Sequence, residues 1–211
     1  ITSQNPLKTA KAVVESAKFL ASEKYEAEYF NKLKAEADFN EMKESGLALN
    51  YPNSKLGSRD YQLQGAEINK IWKYLFAYPF KLVGNKTYER VLAFNPYRAT
   101  ERAFTGAIDT LRVQMFREFT SLLKQEGITF ESNPEQYKLA ARTVNNMTFR
   151  GRLRAFEPIA KELSIAFFAP RKIAATLSLT NPVYWGDMMR KNPIIAKRAM
   201  LKMASFVAVA T

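Results

Sequence analysis

The sequence predicts an all-α protein, an irregular multi-helix bundle with an N-terminal helical hairpin or arm. Three observations carry that prediction. Asn-Pro pairs recur at Asn5-Pro6, Asn95-Pro96, Asn133-Pro134, Asn181-Pro182 and Asn192-Pro193. A capping asparagine before a proline at the first helical position is a helix-start signal. Long stretches repeat apolar residues at offsets of three and four, the spacing of one helix face. Alternating β-branched runs, the mark of strands, are missing, and glycine and proline are sparse at 8 and 9 residues.

The first helix follows Asn5-Pro6 and extends to about Ala21, with Val13, Val14, Ala17 and Leu20 at helical spacing. A second, Glu23 to Ser45, carries Tyr25, Tyr29, Leu33, Ala37, Phe39 and Met42 amid charges that fall in i,i+4 pairs, such as Glu28 with Lys32. Gly46 closes it as a C-cap. Residues 1–46 therefore form a hairpin or a coiled-coil-like arm with a narrow apolar stripe.

Residues 47–94 are expected to be a linker with connecting helices. The stretch N-Y-P-N-S-K-L-G-S has linker composition, and a helix is expected from Ser58 with Ile68, Ile71, Trp72, Leu75 and Phe76 on a wide face. Gly84-Asn85-Lys86-Thr87 is a turn. It is no phosphate loop, because the upstream glycine of that motif and a preceding strand are both lacking.

Residues 95–211 form the expected core domain. From Asn95-Pro96 to about Lys124 one broad stripe contains Ala103, Phe104, Ala107, Ile108, Leu111, Met115, Phe116, Phe119, Leu122 and Leu123. Arg98, Arg102, Arg112 and Arg117 fall outside the stripe and read as solvated charges. Gly127 ends this helix. Further helices are expected from Asn133-Pro134 to Asn146, from Glu157-Pro158 to Phe168, and from Pro170, Asn181-Pro182 and Asn192-Pro193. In the last of these Ile194, Ile195, Met200, Leu201 and Met203 read as packing residues, and Lys197, Arg198 and Lys202 as a basic side.

Composition bounds the chemistry. Cysteine and histidine are both absent from the 211 residues. Disulfides, thiolate or imidazole metal sites and Ser-His-Asp triads are thereby excluded within this chain. An enzyme here would have to work with Glu, Asp, Lys, Ser or Tyr alone, and no pairing of these has a diagnostic spacing. No cofactor and no small-molecule substrate are called for. The chain opens on Ile1, so an excerpt of a longer polypeptide or a processed product is expected, and the apolar run at its end reads as a docking helix or the start of a membrane-active segment.

Charge is the strongest functional signal. Residues 1–137 hold 19 Lys/Arg and 17 Asp/Glu, whereas residues 138–211 hold 13 Lys/Arg against Glu157, Glu162 and Asp187. The balances are +2 and +10. An excess this localised points to an anionic partner: nucleic acid, an acidic protein or an anionic membrane. The plainer alternative is solubility. Arg150, Arg152 and Arg154 surround a glycine in a composition suited to phosphate or carboxylate. Arg171 and Lys172 sit in the first turn of a helix, against its dipole, and Lys197 and Arg198 lie on the last helix. These seven are the candidate anion- or partner-binding residues.

Four blocks carry a family resemblance. They are R-A-T-E-R-A-F-T-G-A-I-D-T-L-R-V-Q-M-F (Arg98 to Phe116), L-A-A-R-T-V-N-N-M-T-F-R-G-R-L (Leu139 to Leu153), L-S-I-A-F-F-A-P-R (Leu163 to Arg171) and L-T-N-P-V-Y-W (Leu179 to Trp185). Their order and approximate spacing resemble a helical region of the large polyvalent proteins of tailed bacteriophages, over residues 95–211. The second block departs in having Phe149-Arg150-Gly151-Arg152 where the family usually has a G-R-G triplet. The resemblance implies a non-enzymatic internal virion region, an ejection or cargo protein stored in the capsid or tail and delivered into the host with the genome. The implied partners are portal, tail or other virion proteins and packaged DNA. A membrane-active module that helps the genome across the host envelope, with membrane contact through the C-terminus, is a second expectation. A helical domain of a polyvalent enzyme whose catalytic part lies elsewhere is a third.

Overall fold

A computed structural model describes residues 6–49, 81, 84–87, 89, 96–148, 150 and 170–210. Every regular element among the described residues is a helix, and no strand occurs among them. In chain order they include α1 (Pro6–Ala21), α2 (Glu23–Lys34), α3 (Phe39–Glu44), α4 (Pro96–Gln125), α5 (Pro134–Met147), α6 (Pro170–Thr180), α7 (Pro182–Lys191) and α8 (Pro193–Ala210). The helices expected from Ser58 and from Glu157-Pro158 lie outside the described residues.

Local chemistry sets most of the boundaries. Ser22 caps α2 by accepting from the Tyr25 amide at 3.2 Å. Gly46 adopts φ 78° beyond α3 and Gly127 adopts φ 75° beyond α4. In each the following residue closes the helix by a six-to-one bond, Leu47 N–H to the Met42 carbonyl at 3.0 Å and Ile128 N–H to the Leu123 carbonyl at 2.9 Å. This is the left-handed C-terminal closure that favours glycine. The single helix expected over Glu23–Ser45 is instead two. The break at residues 35–38 has a physical reason in Arg117, whose Nε and Nη2 donate to Asp38 at 2.7 and 3.0 Å and which also bonds Glu36. A continuous helix would direct positions 36 and 38 to different sides.

The N-terminal helices climb along α4, which at 30 residues is about 45 Å long. Ser16 donates to the Ala103 carbonyl, Thr110 to the Tyr29 hydroxyl, Arg117 to Asp38 and Lys124 to Glu41. Both partners advance together along the chain, so α2 and α3 run in the same direction as α4. The helices pack tightly at Gly106, where a Cβ would come within 2.3 Å of the Phe19 ring. Phe19, fully buried, is the residue α1 contributes there, while Val14 and Leu20 of the expected stripe are exposed. Phe104 is likewise 53% exposed and not a core residue.

The main core lies where α4 meets α5. Phe116, Phe119 and Leu123 pack against Tyr137, Ala140, Ala141 and Val144, all fully buried. Each large side chain removed from water here stabilises the fold by about 2 kcal/mol. Leu47, Ala48 and Leu49 also belong to the buried interior, so the segment after Gly46 starts as core rather than as linker.

Asparagine-proline starts organise the C-terminal helices. Asn181 accepts from the Val183 amide at 2.8 Å and Asn192 from the Ile195 amide at 2.9 Å. Asn192 also donates to Gln136 Oε1 at 2.7 Å, which joins the α7–α8 corner to α5. The Trp185 indole donates to the Leu179 carbonyl at 2.7 Å, and the Tyr184 hydroxyl accepts from Asn146 at 3.2 Å. The Leu179 to Trp185 block is thus a packing junction.

Candidate functional site

The expected anion-binding residues separate into those the fold consumes and those it presents. On α8, Ile195, Ala196 and Ala199 are fully buried and define the inner face. That face also contains Lys202, which is only 4% exposed, and Arg198 borders it. Both reach one acid on α4: Glu118 lies 2.7 Å from Arg198 and 3.0 Å from Lys202. Burial alone would raise the Glu118 pKa, but hydrogen bonds from Lys202 and Arg198 outweigh it and hold the carboxyl below its ordinary value. Two cations of the expected basic side are therefore internal ligands of Glu118. Arg198 is a clamp residue first, with 35% of its side chain still exposed.

Arg150 fits the other reading of the arginines around Gly151, that of structural residues at a helix end. It is 7% exposed, and its amide donates to the Asn145 carbonyl at 2.7 Å just past α5. A side chain so enclosed is part of the fold and is not offered to a polyanion. Arg152 and Arg154 lie outside the described residues. Arg171 and Lys172 are in the first turn of α6 as expected, and their side chains lie outside the described set. Lys197 is exposed on α8. Arg190 and Lys191 at the end of α7 are exposed as well, each near Asp187 at 3.9 and 2.8 Å. The hydrogen bond from Lys191, then its charge, holds the Asp187 carboxyl below its usual value despite slight desolvation.

Arg112, read from the sequence as a solvated charge, belongs instead to a polar cluster beside the core. Arg112 is 3% exposed and pairs with the fully buried Asp109 at 3.0 Å. Its Nη1 donates to the Ala48 carbonyl at 2.8 Å and its Nε to the Thr148 hydroxyl at 2.9 Å. Asn145 completes the hub, donating to the Gly46 carbonyl at 2.9 Å and accepting from the Ala48 amide at 3.0 Å. The hub thus ties α4, the end of α5 and the turn after α3 together. Asp109 and Arg112 stand at the i,i+3 spacing of an ion pair, but that local pattern does not mark the pair as buried.

The carboxylates of these clusters, Glu118, Asp187 and Asp109, are each engaged by a cation. Among the described residues no group of three His, Cys, Asp or Glu side chains is placed to hold a metal ion. What the fold and its charges define is a class, an all-α bundle with a cationic C-terminal part. No protein-family model, curated protein or solved structure matches this chain.

Proposed function

We propose that this chain is a binding, non-enzymatic region of an internal virion protein of a tailed phage, an ejection or cargo protein delivered with the genome. Its basic C-terminal part contacts packaged DNA or an acidic portal or tail lumen. The observation that carries the reading is the segregation of charge, +2 over residues 1–137 against +10 over residues 138–211. The four sequence blocks over residues 95–211 support it further.

The outward cations Arg190, Lys191 and Lys197 are the described residues best placed for such contacts, and Arg171 and Lys172 remain candidates by position. Binding through them is electrostatic. It weakens linearly on a log–log plot against salt, with a slope of about −0.9 for each phosphate neutralised. Mass spectrometry of purified particles tests the reading. Peptides of this chain and its flanks recovered from intact virions are expected; a complete 211-residue cellular protein absent from particles overturns it.

A further inference from the structure

The last helix is rotated relative to what its residues lead one to expect. Positions 193, 197, 200, 201 and 204 of α8 face solvent, whereas 195, 196, 199 and 202 face the bundle. The outward set has the spacing of a single helical stripe. It reads Pro193, Lys197, Met200, Leu201 and Ala204, so it is uncharged apart from one lysine. Leu201 is 54% exposed and Met200 37% exposed. Meanwhile Arg198 and Lys202, the cations that would ordinarily face water, are turned to Glu118.

We propose that this outward ridge of α8 is a membrane-docking surface that lies in the plane of an anionic bilayer. Met200 and Leu201 enter the boundary between headgroups and acyl chains, and the Lys197 stem lies along the same layer with its ammonium on lipid phosphate. The exposed Arg190 and Lys191 at the adjoining helix end add attraction to the anionic surface.

Four observations select this occupant. The ridge is the outer side of a helix whose inner side is packed, so it is convex and suits a flat surface better than it suits a small ligand. A polyanion alone has no apolar group to set against Met200 and Leu201. A second copy would place lysine against lysine and bring together two bodies of net charge +12. α8 is pinned to the bundle through Ile195, Ala196 and Ala199, so its outward side meets a bilayer along the length of the helix. The proposal is independent of the contact with DNA or a lumen, which requires only the cations.

Co-sedimentation of the full chain with vesicles of phosphatidylcholine, or of equal phosphatidylcholine and phosphatidylglycerol, tests it. The chain should pellet with the anionic vesicles. Met200→Ser with Leu201→Ser should lower that partitioning at least about tenfold, with unchanged circular dichroism and unchanged affinity for duplex DNA. Leu201→Trp should raise partitioning. Three results overturn the proposal: no binding to either vesicle, equal partitioning of the double-serine variant and the parent, or a concentration-dependent dimer that the double substitution dissolves. Loss of DNA binding with vesicle binding intact overturns the nucleic-acid contact alone.

Discussion

The Lys202 ammonium lies 3.0 Å from the Glu118 carboxylate although Lys202 is itself almost completely enclosed. The last helix is therefore fastened to the longest one through a charge that has nowhere else to go. Glu118→Gln leaves Lys202 and Arg198 without their counter-charge and should cost about 1–3 kcal/mol at neutral pH, measured by chemical denaturation. The Glu118 carboxyl is held below its ordinary value, so its contribution is full above the ordinary carboxylate range. It is lost as the pH falls through the depressed folded value. The parent protein should thus lose more stability on acidification than Glu118→Gln does. Parallel acid-titration curves for the two would remove Glu118 from the account.

Arg112→Met should be the more damaging change. It removes the guanidinium from Asp109, from the Ala48 carbonyl and from Thr148 together, and breaking a buried pair from one side costs about 3–5 kcal/mol. Asp109→Asn combined with Arg112→Met should be milder than the sum of the two single changes, because the uncompensated charge is gone. Thermal denaturation of the four proteins reads the coupling.

Gly106→Ala should destabilise although alanine is the better helix former, because the new Cβ would meet the Phe19 ring at 2.3 Å. Propensity returns about 1 kcal/mol, and overpacking takes about 1–3 kcal/mol. Phe19→Leu makes room, so the double variant should lie closer to Phe19→Leu alone than additivity predicts. A strictly additive cycle would mean that α1 shifts freely on α4.

Lys197 and Arg198 are neighbours in sequence with opposite roles. Lys197→Gln should leave the melting temperature unchanged and reduce the salt slope of DNA binding by about 0.9 if it holds one phosphate. Arg198→Gln should lower stability by about 1 kcal/mol, because its pair with Glu118 is partly exposed. The reverse assignment, a stability loss at Lys197 and none at Arg198, would contradict the orientation of α8.

The helices were legible in the sequence because their signals are short-range. Asn181, Asn192, Gly46 and Gly127 act within a few residues of themselves, and so does the offset of apolar positions that marks α4. The candidate site was legible only as a concentration of charge. Which of its members face outward depends on partners far away in the chain. Arg198 finds Glu118 across 80 positions, and Asn145 holds the Gly46 carbonyl across 99. No window of local pattern contains either pair.

The sequence by itself determined that this is an all-α chain, where many of its helices start and stop, and that its positive charge gathers at one end. Only the tertiary structure decided that Arg112, Arg150 and Lys202 belong to the interior while Phe104, Met200 and Leu201 do not. The reason is physical. Capping and periodicity are settled within a turn of helix, whereas the direction a face takes is settled by what packs against it. Here the Glu118 carboxylate on α4 takes Arg198 and Lys202, while Lys197 beside them stays outward.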